Sequence, residues 1–367
     1  MDGVQSWAEV GERIAEARLA AGLSQGELGS KVGLERTAVV RIESGDRRIT
    51  ALELFRLSEA LGVPLAHLVS RPPAPLVSRR SALDENADNA SRARYRLDAR
   101  LEEHSRHAQW LISHRFLSPP QLDSSLHRST SDADPVALAG AARRALGTPS
   151  GPLGPLADVV ERLGLYLTVV DEAAEGASLL LDGYGVTVIS GQAAPGRRRW
   201  TAAHELGHHL LQDEYHSDAG VAAGRDEREQ VIDRFTEEFL LPAGDVVNAW
   251  KRVDEGHTPR AVMLDLAASH RLSWSAIVRR ARHLELIDKS EAQRQQADTP
   301  VRGDFLAAHG SQPVPDLEIG ATGTEWRKAA LSAWAQGAIT AARTVELLYG
   351  AVAEDELPSR NLEDCLP

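Results

Sequence analysis

The chain has 367 residues, 43% of them hydrophobic, with 41 basic against 53 acidic side chains and a net charge of -12. That length exceeds one typical hydrophobic core and predicts two or three domains, while so acidic a balance excludes a general nucleic-acid sponge and confines any DNA contact to a local basic face. The single cysteine, Cys365, excludes an intrachain disulfide framework or a cysteine zinc site. Met1–Val10 carries Asp2 and Glu9 without a long apolar core, and no run is long enough to span a bilayer, so a soluble, cytoplasmic protein without membrane contact is expected.

From Val10 to Leu68 the spacing predicts five short helices. The first, Trp7 to Ala20, sets Val10, Ile14 and Ala17 on one face and ends before Gly22. Ser24 followed by Glu27 is a capping-box start for a second helix through Lys31. Gly33 makes the turn, and Leu34 to Glu43 is the third helix, closed by Ser44-Gly45. Two short helices joined by a glycine turn form a helix-turn-helix, whose second helix enters the major groove. Ala51, Leu54, Leu57, Ala60, Leu61, Val63 and Leu68 continue the apolar stripe and close a small core.

The runs Ile14-Ala15-Glu16-Ala17-Arg18, Leu23-Ser24-Gln25-Gly26-Glu27-Leu28 and Arg41-Ile42-Glu43-Ser44-Gly45 resemble the phage-repressor type of helix-turn-helix, often called the XRE family, across residues 8–69. The resemblance implies a five-helix, lambda-repressor-like domain that binds a double-stranded DNA operator. It implies that Gln25 contacts a phosphate, that Glu35, Arg36 and Thr37 face base edges, and that Arg41, Arg47 and Arg48 flank the backbone. Gly29 stands where alanine is usual and is expected to weaken the second helix slightly.

Three prolines in Ser70-Arg71-Pro72-Pro73-Ala74-Pro75 predict an extended linker and a domain boundary. Asp84 to Phe116 reads as a polar helix whose best apolar stripe is Tyr95, Leu97, Leu101, His104, Ala108 and Leu111, suited to packing or to a homodimer contact. Ser118 to Pro135 reads as a loop. A further domain begins near Asp134, with helices at Pro135 to Leu146 and Pro155 to Gly164 and a strand at Leu165 to Val170. A hairpin follows over Ala177 to Ser190, turning at Asp182-Gly183. Val186 to Ser190 is expected at the sheet edge, where an extended peptide could pair.

The stretch Trp200-Thr201-Ala202-Ala203-His204-Glu205-Leu206-Gly207-His208-His209-Leu210-Leu211 has helix-forming content, and positions i and i+4 share a face. His204 and His208 can therefore hold one zinc ion together, while Glu205 is turned to the edge of the site, where it can accept a proton from water. Catalytic zinc takes a third protein ligand. The next helical pattern, Glu227 to Leu241 before Pro242, offers Glu229 and Asp233 one turn apart, and whichever does not reach the metal can orient a histidine. His209, Tyr215 and His216 follow closely and are read as helix surface rather than as oxyanion donors. Arg197, Arg198 and Arg199 precede the motif and are read as a solvated run, with docking of a substrate's acidic groups as the alternative.

Arg199 to His208, together with Glu229 to Asp233 and Phe235-Thr236-Glu237-Glu238-Phe239-Leu240-Leu241-Pro242, resembles the ImmA/IrrE family of zinc-dependent endopeptidases. The resemblance implies that Glu229 is the third ligand and that the target is narrow, often a repressor of the same helix-turn-helix type, cut in response to stress or phage induction. Trp200 stands where Phe is usual, Ile232 and Asp233 where Ala and Asn are usual, and Phe239-Leu240-Leu241 where Leu-Leu-Met is usual; these exchanges leave the ligand set intact. Helices at Asp245 to Val253, Pro259 to His270 and Ser273 to Leu284 follow, with Arg271, Arg279, Arg280 and Arg282 read as packing or substrate-docking residues, DNA contact being the alternative. Lys289 to Asp304 reads as a polar linker, and helices at Glu325 to Gln336 and Ile339 to Tyr349 carry no assignable chemistry.

The expected fold is mainly α, with an α+β zincin-like catalytic domain behind the helix-turn-helix. The expected division is 1–70 for DNA binding, 71–133 for linker and polar helix, 134–290 for the peptidase and 291–367 for a helical extension. The expected function is a DNA-binding regulator with endopeptidase activity: His204, His208 and Glu229 hold Zn2+, or Mn2+ in its place, and Glu205 is the general base. Two readings compete: a regulator or antitoxin whose zincin-like half is a non-proteolytic sensor or dimerisation module, and a protease whose helix-turn-helix serves only to bind a protein partner.

Overall fold

A computed structural model of the chain describes residues 4, 6–71, 87–123, 126, 134–212, 222–310 and 313–360. The first core is built by α1 (Trp7–Ala20), α2 (Gln25–Val32), α3 (Arg36–Glu43), α4 (Ala51–Leu61) and α5 (Leu65–Val69). Local chemistry sets the boundaries of these helices. Ser24 and Thr50 form reciprocal capping boxes with Glu27 and Glu53, and Gly33 and Gly62 close α2 and α4 with φ of 74° and 68°. Ile14, Leu28, Val39, Ile42, Leu57, Leu61 and Leu68 fill the interior. Gly29 has a packing reason: a Cβ there would lie 2.5 Å from the Leu34 carbonyl oxygen, so the turn between α2 and α3 needs the bare backbone. Glu43 ties the first three helices together, taking Arg18 Nε at 2.6 Å and Gln25 Nε2 at 2.8 Å.

The prolines at 72, 73 and 75 lie outside the described residues, and the polar helix begins beyond them as α6 (Asn89–Ser113). Its charged sequence conceals a long buried face. Tyr95 and Ala99 enter the first core, whereas Leu97, Leu101, Ala108 and Leu111 enter a second one beside the sheet. At the crossing, Glu102 is fully buried between His67 of α5 and Arg106 of α6.

After α7 (Pro135–Ala145) and α8 (Leu156–Glu161) come β1 (Leu165–Val170), β2 (Gly176–Leu181) and β3 (Tyr184–Ser190). The strand order is β1-β3-β2, with β1 parallel and β2 antiparallel to β3. The expected edge at Val186 to Ser190 is therefore corrected: β3 is central and fully buried, and the edges are β1 and β2. The hairpin supplies one partner for β3 and the crossover from β1 supplies the other. Alternation sends Leu165, Leu167 and Val169 to one face and Tyr166 and Val170 to the other, and both faces are covered.

One face carries α9 (Pro195–Leu210), which packs against α10 (Ala222–Leu240). α7 lies along α10, where buried Arg143 donates to the Phe239 carbonyl at 2.6 Å. Then follow α11 (Ala243–Asp254), α12 (Pro259–His270), α13 (Trp274–His283), α14 (Lys289–Ala297) and α15 (Arg302–His309). The expected linker at Lys289 to Asp304 is thus largely helical, because Asp288 caps α14 by accepting from Glu291 N at 2.8 Å. The opposite sheet face is shared by α6, α16 (Thr324–Ala335) and the region of α17 (Ala341–Leu347), with Trp326 fully buried there. Glu161 of α8 accepts from the amides of Glu325 and Trp326, capping α16 from outside the helix. Among the described residues no helix is long and apolar enough to cross a membrane.

Candidate metal centre

On α9 the rings of His204 and His208 neighbour each other edge to face, centroids 5.0 Å apart, as the i, i+4 spacing predicts. α10 brings two carboxylates to the same ridge. Glu229 Oε2 is 3.2 Å from His204 Nε2, and Asp233 Oδ1 is 3.3 Å from His204 Nδ1. One ligand atom each from His204, His208 and Glu229 lie within 4.8 Å of one another. The sequence left Glu229 and Asp233 as alternatives by spacing alone; in the fold Glu229 lies at His204 Nε2 and groups with His204 and His208, while Asp233 lies at Nδ1.

The close approach of these helices depends on glycines. At Gly207 a Cβ would meet Ile232 Cγ2 at 2.9 Å and Phe235 Cδ1 at 3.1 Å, so the glycine inside the motif lets α10 come near enough for Glu229 to reach. At Gly176, on edge strand β2, a Cβ would lie 3.0 Å from Glu205 Oε1. Both positions were missed in the sequence, and a glycine inside an otherwise helical motif was the available signal.

Glu205 is 6% exposed, and its Oε2 has no hydrogen-bond partner among the described residues. A buried carboxylate oxygen in that condition is costly unless something at the site will use it. Burial pushes the His204 pKa down, but hydrogen bonds to Asp233 and Glu229 and the charge of Glu205 outweigh it, and the ring is raised to about 10. Two imidazoles and one carboxylate are a donor set that fits a divalent metal of the zinc type, so these side chains suit such an ion.

Neighbouring expectations fare differently. His209 is neither surface nor oxyanion donor: it is buried against the sheet, where a Cβ on Gly185 would come within 2.6 Å of its Nδ1. Tyr215 and His216 lie outside the described residues. The arginine run is not a solvated one. Arg197 pairs with Glu175, but Arg198 is buried on the Leu317 carbonyl at 2.6 Å, and Arg199 is buried on Asp316 and on the Gly154 carbonyl. Arg280 is likewise internal, binding Glu237 and Glu238, while Arg279 stacks on Trp200 at 4.3 Å.

In the first core, Glu35, Arg36, Thr37 and Arg41 are exposed on or beside α3, with Glu35 at its N-cap. Arg48 is exposed, Arg47 is half-buried on Glu53, and the Gln25 amide is held by Glu43. A family model described as helix-turn-helix matches residues 14–68, and one described as IrrE N-terminal-like domain matches residues 162–282. The chain thus joins an XRE-type, DNA-binding helix-turn-helix domain to a domain of the ImmA/IrrE metallopeptidase kind. No curated protein and no solved structure gives a significant match.

Proposed function

We propose that the chain is a cytoplasmic, DNA-binding regulator whose second half is a zinc-dependent endopeptidase. The observation that carries this reading is the meeting of His204, His208 and Glu229 beside a buried Glu205 oxygen that nothing in the described fold satisfies. His204, His208 and Glu229 would hold the ion. When bound, zinc supplies Lewis acidity, polarising a peptide carbonyl and acidifying water. Asp233 keeps the His204 ring oriented through Nδ1, so that Nε2 faces the site. Glu205 takes the proton from the attacking water and returns it to the departing amine. Edge strand β2, whose Gly176 backbone approaches Glu205, is the strand beside which an extended peptide would lie.

The substrate we propose is a protein of the same helix-turn-helix type, cut at a specific site in a stress or mobile-element response. The helix-turn-helix holds a double-stranded operator through α3, with Glu35, Arg36 and Thr37 at base edges and Gln25 and Arg41 at the backbone. The test is elemental analysis of dialysed wild type beside a His204→Ala, His208→Ala variant, with Glu205→Gln assayed for cleavage of helix-turn-helix repressors. About one zinc per wild-type chain and none in the double variant is expected. Glu205→Gln should keep the metal and lose cleavage by about a thousandfold or more. No metal in wild type after zinc or manganese is added would sink the peptidase reading, and regulation unaltered by Glu205→Gln would favour a non-proteolytic sensor.

A further inference from the structure

At the opposite end of α9 from His208, the fold forms a half-open cavity of about 310 Å³ that the candidate metal centre does not use. Three arginines line it, Arg199, Arg271 and Arg302, and Asp316 is the one acidic residue of its wall. That carboxylate is already shared. Its Oδ2 takes Arg199 Nη1 and the Leu156 amide at 3.1 Å, and Arg271 Nη1 stands off at 3.8 Å. Arg302 has no hydrogen bond or ion pair among the described residues. Three positive charges therefore line a wall with one negative charge, whose oxygens are already taken by Arg199 and by the Leu156 and Leu317 amides. Burial lowers the Arg199 pKa, Asp316 offsets part of that, and the neighbouring Arg271 lowers it again, as expected where cations crowd one another.

The rest of the wall is apolar, with Leu272, Phe305 and Val314 among its residues. Arg271 itself holds a left-handed backbone, φ 55°, at the end of α12, a conformation that non-glycine residues adopt where the surroundings enforce it. A concave chamber of this size with apolar walls and a few convergent charges is what a small-molecule site looks like.

We propose that this cavity binds a small organic anion, a phosphate or carboxylate monoester-sized molecule whose charged group meets Arg271 and Arg302 and whose apolar body lies on Phe305 and Val314. Arg199 and Asp316 form the fixed floor. The guanidinium groups suit a planar or tetrahedral oxyanion by paired N–H donors. The site is separate from the metal centre: from Pro195 to His204 the axis of α9 runs roughly 13 Å.

The test is calorimetry on the full-length protein with phenyl phosphate, and with inorganic phosphate and phenol as part-ligands. Saturable binding of about one phenyl phosphate per chain is expected, with inorganic phosphate weaker by about tenfold and phenol undetected. Arg302→Gln, on an exposed helix, and Arg271→Gln should each weaken phenyl phosphate by about tenfold or more. The His204→Ala, His208→Ala variant should bind as wild type does. No saturable binding up to roughly 10 mM would overturn the proposal. Binding unaffected by both arginine variants would also overturn it, as would binding lost with the two histidines, since the anion would then belong to the metal centre. None of these outcomes depends on peptidase activity.

Discussion

Two clusters of charged side chains tie helices together in this chain, and they are finished differently. Around Glu43, Arg18 donates from Nε and Nη2 to the two carboxylate oxygens, and Gln25 adds a third bond, so the carboxylate is fully engaged. Around His204, two carboxylates converge on one imidazole while Glu205, on the same helix, keeps an oxygen without a partner. The first cluster spends its polar capacity within the fold; the second keeps some in reserve. A closed cluster reads as architecture, and an open one as a place where something else belongs.

Breaking the closed cluster should have the larger effect on stability. Glu43→Gln leaves the buried Arg18 guanidinium uncompensated, which costs about 3 kcal/mol. Denaturant titration of the full-length protein, followed by a probe in the first core, should show that loss, and a change below about 0.5 kcal/mol would contradict it. The open cluster is better probed by metal affinity. Asp233→Asn should keep the ligands but loosen the His204 ring, weakening zinc binding by about ten- to a hundredfold in competition with a chromophoric chelator. Unchanged affinity would remove Asp233 from the site's design.

A third buried group sharpens the contrast. His104 of α6 is fully buried, without an ion pair to an acid among the described residues: its Nε2 donates to the Tyr166 carbonyl at 3.0 Å, and Nδ1 accepts from the Tyr349 hydroxyl at 2.6 Å. Burial pushes its pKa from 6.5 down to about 3, opposite in direction to His204. Between those values only the unfolded chain takes up the proton, so this contribution is complete above pH 6.5 and is lost as pH falls towards 3. The slope for one such proton is about 1.4 kcal/mol per pH unit. Melting curves from pH 7 to pH 5 should show a decline that His104→Gln makes shallower; identical slopes in both proteins would refute the assignment.

Much of this architecture can be read in the chain because it is local. The capping box at Ser24, the glycine turns at Gly33 and Gly183, and the i, i+4 histidines each act within a few residues, and the helices, strands and the neighbouring histidine pair follow from them. What was not legible depends on partners far away in sequence. The central place of β3 comes from a crossover pairing with β1, and the placing of Glu229 at His204 Nε2 and Asp233 at Nδ1 comes from how α10 lies on α9. Arg198 and Arg199 look solvated until the segment at Asp316 and Leu317 returns to bury them. α6 looks like a polar spacer because its charges dominate its composition, while the face that packs is spread over 25 residues.

That helix also fixes how force passes through the molecule. A 25-residue helix is roughly 37 Å long, and this one is embedded in the first core through Tyr95 and Ala99 and in the second through Leu97, Leu101 and Ala108. Its two grips overlap in sequence, so no swivel lies between them. On the proposed function, a molecule seated on an operator would carry the candidate metal centre at a set bearing and distance from the DNA, like a tool clamped to a rigid arm, and its reach would be limited to partners docked within that arc. Cutting the chain at residue 70 would remove the arm together with the apolar plug it supplies, leaving the first core open where Tyr95 and Ala99 had closed it.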